Sequence, residues 1–184
     1  MSKYLDSYLK NEIKVLNCIK IPDLEHIISV LEHKRKQKSS IFICGNGGSA
    51  TTASHFTCDL NNLEKFKDGI KFKCFCLNDN IAQLTATAND IGYNKIFTRA
   101  LSNRASSDDI LILLSASGDS ENIVDVAEYA RDSEIYTISI SGFDGGRVAK
   151  ITDLSVIIPI DNILIVEDIH LVINHMIANY FNRI

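Results

Sequence analysis

The chain is predicted to fold as an α/β protein: a three-layer sandwich around a five-stranded parallel sheet, flavodoxin-like in its layering, with helices added at the N-terminus. Three observations predict this. Short apolar runs recur at 41–44, 72–77, 110–114, 135–140 and 154–158. They are continuous rather than alternating, as expected of strands buried on both faces. They are separated by about 20–35 residues, which leaves room for the helical crossovers that parallel strands require.

Taken in order, Leu5, Leu9, Ile13 and Leu16 and then Leu24, Ile27, Ile28 and Leu31 fall three or four apart, the spacing of two amphipathic helices. The run at 41–44 enters a glycine cluster and a helical stretch at 50–60. The pattern repeats, with 72–77 before 78–89, 110–114 before 120–131, and 135–140 before a short stretch near 146–150. The run at 154–158 precedes a final helix at 167–184. No repeat and no Pro/Gly-rich linker divides the chain, so 1–184 reads as one domain, with helices at 1–38 and the α/β core at 39–184. The apolar faces of the terminal helices exceed what the sheet needs, and suit either a subunit interface or ordinary packing.

Composition narrows the class. At 184 residues, 46% hydrophobic and 23% charged, with two prolines and nine glycines, the chain is neither collagenous nor disordered. Its longest apolar runs, 110–114 and 163–166, fall far short of the ~18 residues of a membrane span, and its first residues are polar rather than a signal peptide. A cytoplasmic protein without a membrane partner is expected. A net charge of −4 argues against a nucleic-acid partner. The local basic run at 34–38 reads as the solvated last turn of a helix, where cations suit the dipole. The cysteines, Cys18, Cys44, Cys58, Cys74 and Cys76, lack metal-type spacing apart from one Cys-x-Cys, and Cys74 and Cys76, on one face of an apolar strand, read as small core residues.

Open parallel sheets bind ligands beyond the carboxyl ends of their strands. Two loops there have the chemistry for an anion. Gly45-Asn46-Gly47-Gly48-Ser49 turns directly into a helix, so its backbone N–H groups and the positive end of the dipole face outward. Ser115-Ala116-Ser117-Gly118-Asp119-Ser120 offers three hydroxyls at another helix start. Taken singly, Ser117 or Ser120 reads equally well as an N-cap; two such loops leaving one sheet favour a phosphate monoester. Gly45-x-Gly47-x-x-Ala50 also fits a dinucleotide fingerprint, but the acidic residue that would complete it, Asp79, lies about 34 residues on rather than ~20.

His55 and Asp59 stand four apart on one helix face, and Glu167, Asp168, His170 and His175 cluster near the C-terminus. Histidine and carboxylate at i, i+4 is metal-ligand spacing, and equally the spacing of a surface hydrogen bond. Glu167 and His175 are eight residues apart, about 12 Å along a helix and roughly 80° around it. They reach one ion only if Glu167 sits at a frayed helix start; otherwise they serve different sites. His170 points away from His175 and reads as packed or as a support behind the site's ligands.

GNGGSATTASHF at 45–56, TATANDIGYNKIFTR at 85–99, SASGDS at 115–120, SGFDGG at 141–146 and EDIHLVINH at 167–175 together resemble the sugar isomerase (SIS) domain family, most closely its phosphoheptose isomerases. The resemblance implies interconversion of sedoheptulose 7-phosphate, a phosphorylated seven-carbon sugar, and D-glycero-D-manno-heptose 7-phosphate, for lipopolysaccharide or capsule. It implies a homo-oligomer, usually a tetramer with sites between subunits. It places Asn46, Gly47, Gly48, Ser49, Asp90, Ser115, Ser117, Ser120 and Glu167 at the substrate, and His55, Asp59, Glu167 and His175 around zinc. It makes Asp59 the base and His175 the acid. Four positions depart from the family pattern: Asp59 stands for Glu, Glu167 for Gln, Ala116 for Thr and Leu63 for Arg. The resemblance also extends to non-catalytic SIS proteins, either sugar-phosphate sensors or regulators that bind the replication initiator DnaA, which lack the histidine matching His175.

Overall fold

The computed structural model describes residues 1–64 and 66–183; residue 184, read above as the end of the last helix, lies outside them. The N-terminal helices are α1 (Ser2–Leu16) and α2 (Ile21–Gln37). Pro22 in the first turn of α2 needs no N–H partner there, and Asp23 beside it suits the positive end of the dipole. The basic run closes α2 as expected, but Arg35 is not solvated. It is 3% exposed, pairs with Glu32 and Asp68, donates to the Ile70 carbonyl, and lies 4.0 Å above the Phe66 ring.

Five strands form one parallel sheet: β1 (Ile41–Gly45), β2 (Cys74–Cys76), β3 (Ile110–Ser115), β4 (Tyr136–Gly142) and β5 (Leu154–Ile158), in the order β2-β1-β3-β4-β5. Between them run α3 (Gly48–Asn61), α4 (Ile81–Asp90), α5 (Ile96–Ser102), α6 (Glu121–Asp132) and α7 (Val148–Ile151), and α8 (Ile163–Phe181) closes the chain. Successive strand residues face opposite sides of the sheet. On one side Ile41, Ile43, Ile110, Ile112 and Ile138 meet Ile27 and Leu31 of α2, Phe56 and Leu60 of α3, and Ile169 and Ile173 of α8. On the other side Phe42, Cys44, Leu111 and Leu113 meet Phe97 and Leu101 of α5 and Val126 and Ala130 of α6. Each such side chain removed from water contributes roughly 1.5–3 kcal/mol before conformational entropy is subtracted. The continuous apolar runs are therefore what a sheet covered on both faces requires.

Three boundaries differ from the sequence reading. β2 is paired only over Cys74–Cys76, where it runs beside β1 at the edge of the sheet. The short helix α5 has no counterpart in the sequence pattern, since its apolar residues lie too close together for a long periodic signal. The final helix starts at Ile163, four residues early, because the Asn162 side chain accepts the N–H groups of Leu164 and Ile165 and caps it.

From β1 the chain crosses to β2 on one side and then to β3 on the other. This reversal opens a crevice at the carboxyl ends of β1 and β3, where doubly wound sheets hold ligands. Both anion loops leave the sheet at that point.

Candidate active site

At the end of β1, Gly47 takes φ +55 and ψ −125, a conformation open to glycine, and sets α3 off at a sharp angle. Gly48 opens the helix beneath Glu167, whose carboxylate occupies the space a Cβ would need. The N–H groups of Gly48 and Ser49, the first two of α3, find no backbone acceptor among the described residues.

Asn46 is locked by a reciprocal amide pair with Asn122 of α6, at 2.8 and 2.9 Å, and its Oδ1 also accepts the Tyr93 hydroxyl at 3.1 Å. Asn122 is 2% exposed. Neither partner emerges from the sequence alone. The available signal is an asparagine on the buried face of α6, beside Ile123 and Val126, where an amide needs a partner.

In the second loop the Ser115 hydroxyl accepts from the Gly118 N–H at 3.0 Å, and the Ser117 hydroxyl from the Asp119 N–H at 3.2 Å. A hydroxyl that accepts one N–H keeps its own proton to donate. Ser120 stands at the N-cap of α6 without a side-chain cap hydrogen bond, so its hydroxyl is not consumed by the helix. Asn46, Gly47, Ser49, Ser115, Ser117, Ser120 and Glu167 line one cleft of about 220 Å³. Its lining includes no Lys or Arg among the described residues, and Leu63, where the family pattern has Arg, is packed in the core. An anion here would be held by hydroxyls, backbone N–H groups and two helix starts.

Ser49 is 2% exposed and its Oγ lies 3.4 Å from His170 Nδ1. His170 Nε2 lies 3.0 Å from the Ile140 carbonyl, which can only accept, so the proton sits on Nε2 and Nδ1 receives the Ser49 hydroxyl. Burial lowers the His170 pKa from 6.5 to about 4, against the opposing pull of that carbonyl. The imidazole is neutral, packed as expected, and turns the Ser49 hydroxyl inward. What Ser49 offers the cleft is its backbone N–H.

His55, Asp59 and His175 come together from α3 and α8. His55 Nε2 is 3.0 Å from His175 Nε2 and 3.3 Å from Asp59 Oδ2, and His175 Nε2 is 3.8 Å from the same oxygen. Three ligands placed about 2.1 Å from one zinc in a tetrahedral array stand roughly 3.4 Å apart. The three separations bracket that value, and two imidazoles with a carboxylate are a zinc-type donor set. Asp59 and His175 also share a cleft of about 480 Å³ with Asn62, Leu63 and Asn179.

Glu167 stands apart from the histidine trio, and Asp90 lies outside both clefts. Glu167, expected both at the substrate and at the metal, lines the serine cleft and is not among the three clustered ligand groups. The early start of α8 puts it in the second helical turn rather than at a frayed end, so the eight-residue offset from His175 holds the two apart. Asp90 is exposed at the end of α4, bonded to the Asn89 amide, and lines neither cleft.

The comparisons with known proteins agree with this architecture. The SIS domain pattern matches residues 7–142. A phosphoheptose isomerase of Helicobacter pylori (strain 26695) is 34% identical over 87% of this chain and 83% of its own, and one from Aliarcobacter butzleri is 32% identical over 92% and 89%. The structure of a phosphoheptose isomerase from Francisella tularensis superimposes with a TM-score of 0.89 at 27% identity, covering 100% of this chain and 96% of that one. The chain belongs to the SIS-domain family and, within it, to the phosphoheptose isomerases.

Proposed function

We propose that the protein interconverts sedoheptulose 7-phosphate and D-glycero-D-manno-heptose 7-phosphate, supplying heptose for a cell-surface polysaccharide. The observation that carries this is the meeting of Asp59 and His175 in one cleft, with Asp59 on the same helix that presents the anion cradle. From Gly48 to His55 is seven residues, about 10 Å of helical rise. An extended seven-carbon phosphate, with carbon–carbon bonds of about 1.5 Å, covers roughly the same length. A phosphate seated on the serine loop thus leaves the carbonyl end near Asp59 and His175.

The chemistry follows from those groups. The Asp59 carboxylate takes a proton from C1 of the ketose and, through an enediolate, returns it to C2. His175 protonates the carbonyl oxygen at C2 and takes the proton from the oxygen at C1. A positioned base and acid each contribute typically 10²–10⁴-fold. Zinc held by His55, one oxygen of Asp59 and one ring nitrogen of His175 would supply Lewis-acid stabilisation of the negative charge that develops on the sugar oxygens, leaving the other Asp59 oxygen and the other His175 nitrogen for the proton transfers. Glu167, in the lining of the serine cleft, would accept hydrogen bonds from sugar hydroxyls.

The exposed apolar residues of α1, Leu5, Leu9 and Ile13, each 58% exposed, support a homo-oligomer, which we take to be a tetramer. No helix among the described residues is long and apolar enough to cross a membrane, in keeping with a cytoplasmic enzyme. A sensor or replication regulator without catalysis is disfavoured by the pairing of His175 with Asp59. The test is incubation of zinc-loaded protein with sedoheptulose 7-phosphate, followed by NMR in deuterated water. The expected result is the aldose 7-phosphate, with deuterium at C2 in the fraction of turnovers in which the Asp59 proton exchanges with solvent before its return. Binding of the sugar without interconversion would overturn the assignment.

A further inference from the structure

We infer that Asn174 is a positioning residue that fixes the Asp59 carboxylate against the two histidines and thereby sets the metal affinity of that trio. Asn174 precedes His175 on α8, but one residue turns a helix by about 100°. His175 faces outward at 53% side-chain exposure, while Asn174 is turned into the packing between α8 and α3 and is 1% exposed. Its Nδ2 donates to Asp59 Oδ2 at 3.2 Å, the oxygen that also faces both imidazoles. Helix α8 therefore approaches one carboxylate oxygen with an imidazole and an amide from consecutive residues.

The other end of that amide shows what the residue is for. Asn174 Oδ1 is the one buried side-chain polar atom among the described residues without a hydrogen-bond partner. Leaving a buried carbonyl oxygen unpaired costs the fold, and a leucine, with the same branched skeleton though a larger one, would carry no polar atom to leave unpaired. The amide cannot simply rotate, because its oxygen would then oppose the carboxylate and its single bond would be lost. What the chain retains at this expense is a neutral donor aimed at Asp59. It holds one lone pair of Oδ2 and leaves the oxygen oriented toward the histidines. Groups behind a ligand in this way typically govern metal affinity by about 10- to 100-fold.

The inference rests on the reading of His55, Asp59 and His175 as a metal site, and its test separates the two. Zinc affinity is measured by competition with a chromophoric chelator for the wild type, H175A, Asn174→Leu and Asn174→Ala, alongside the thermal midpoint of each protein in excess chelator. Asn174→Leu and Asn174→Ala are expected to bind zinc at least about tenfold more weakly, with at least one of the two keeping the metal-free midpoint of the wild type. A purely structural asparagine would give the reverse, a lowered midpoint with unchanged affinity. Wild-type affinity in either folded Asn174 variant, while H175A loses it, overturns the inference alone. Equal zinc binding by H175A and the wild type overturns the metal site and the inference together.

Discussion

Replacing His170 by Gln removes a buried titratable group while keeping an amide N–H for the Ile140 carbonyl, and the structure sets the size of the effect. In the folded chain His170 takes a proton only near pH 4, because burial disfavours the imidazolium, whereas the unfolded chain takes it near pH 6.5. Between those values the unfolded state binds more protons, so stability rises with pH across the window and is lost as pH falls below 6.5. Each unit is worth about 1.36 kcal/mol, so going from about pH 7.5 to about pH 5 should cost about 2 kcal/mol through this one residue. The assay is urea unfolding of wild type and H170Q at both pH values, in excess chelator and at fixed protein concentration. His55 and His175 are common to both proteins and cancel in the comparison. The acid-labile pair of Glu32 and Asp68 with Arg35 cancels too, its carboxyls being lowered by the guanidinium. The wild type should lose about 2 kcal/mol more than H170Q. Equal losses in the two proteins would refute the claim that His170 is held neutral beside Ser49.

Two further outcomes follow from the cradle. Ser117→Ala and Ser120→Ala should each raise KM for the sugar phosphate by about 10- to 100-fold, the equivalent of one hydrogen bond to a charged group at about 1.5–3 kcal/mol, with kcat little changed; steady-state kinetics reads this directly. Gly48→Ala should leave stability within about 1 kcal/mol, since alanine suits a helix. Its Cβ would push the Glu167 carboxylate aside within the cleft, so KM should rise, whereas in an E167A background the same substitution should leave KM unchanged.

The layering is legible because continuous apolar runs have one good explanation, a sheet covered on both faces. Both loops are legible because glycine and serine clusters at strand ends have few structural uses. The i, i+4 offset of His55 and Asp59 puts them on one face, but only the tertiary fold brings His175 of α8 to 3.0 Å from His55. What stays hidden depends on contacts between distant segments. Asn122 clamps Asn46 across 76 positions of sequence, Asn174 reaches Asp59 across 115, and Arg35 leaves its solvated helix turn for Asp68. The position of Glu167 turns on a single cap. Asn162 starts α8 early, and four extra residues of regular helix carry Glu167 to the serine loop rather than to the histidines.

The most direct test is kcat for Asp59→Asn and His175→Ala on sedoheptulose 7-phosphate, with sugar-phosphate binding measured separately by calorimetry. A fall of at least about tenfold in each variant, and of roughly 10²–10⁴-fold for full loss of a general acid or base, with binding retained, is the predicted result. Unchanged turnover in either folded variant would contradict the proton-transfer roles and return the site to a binding pocket.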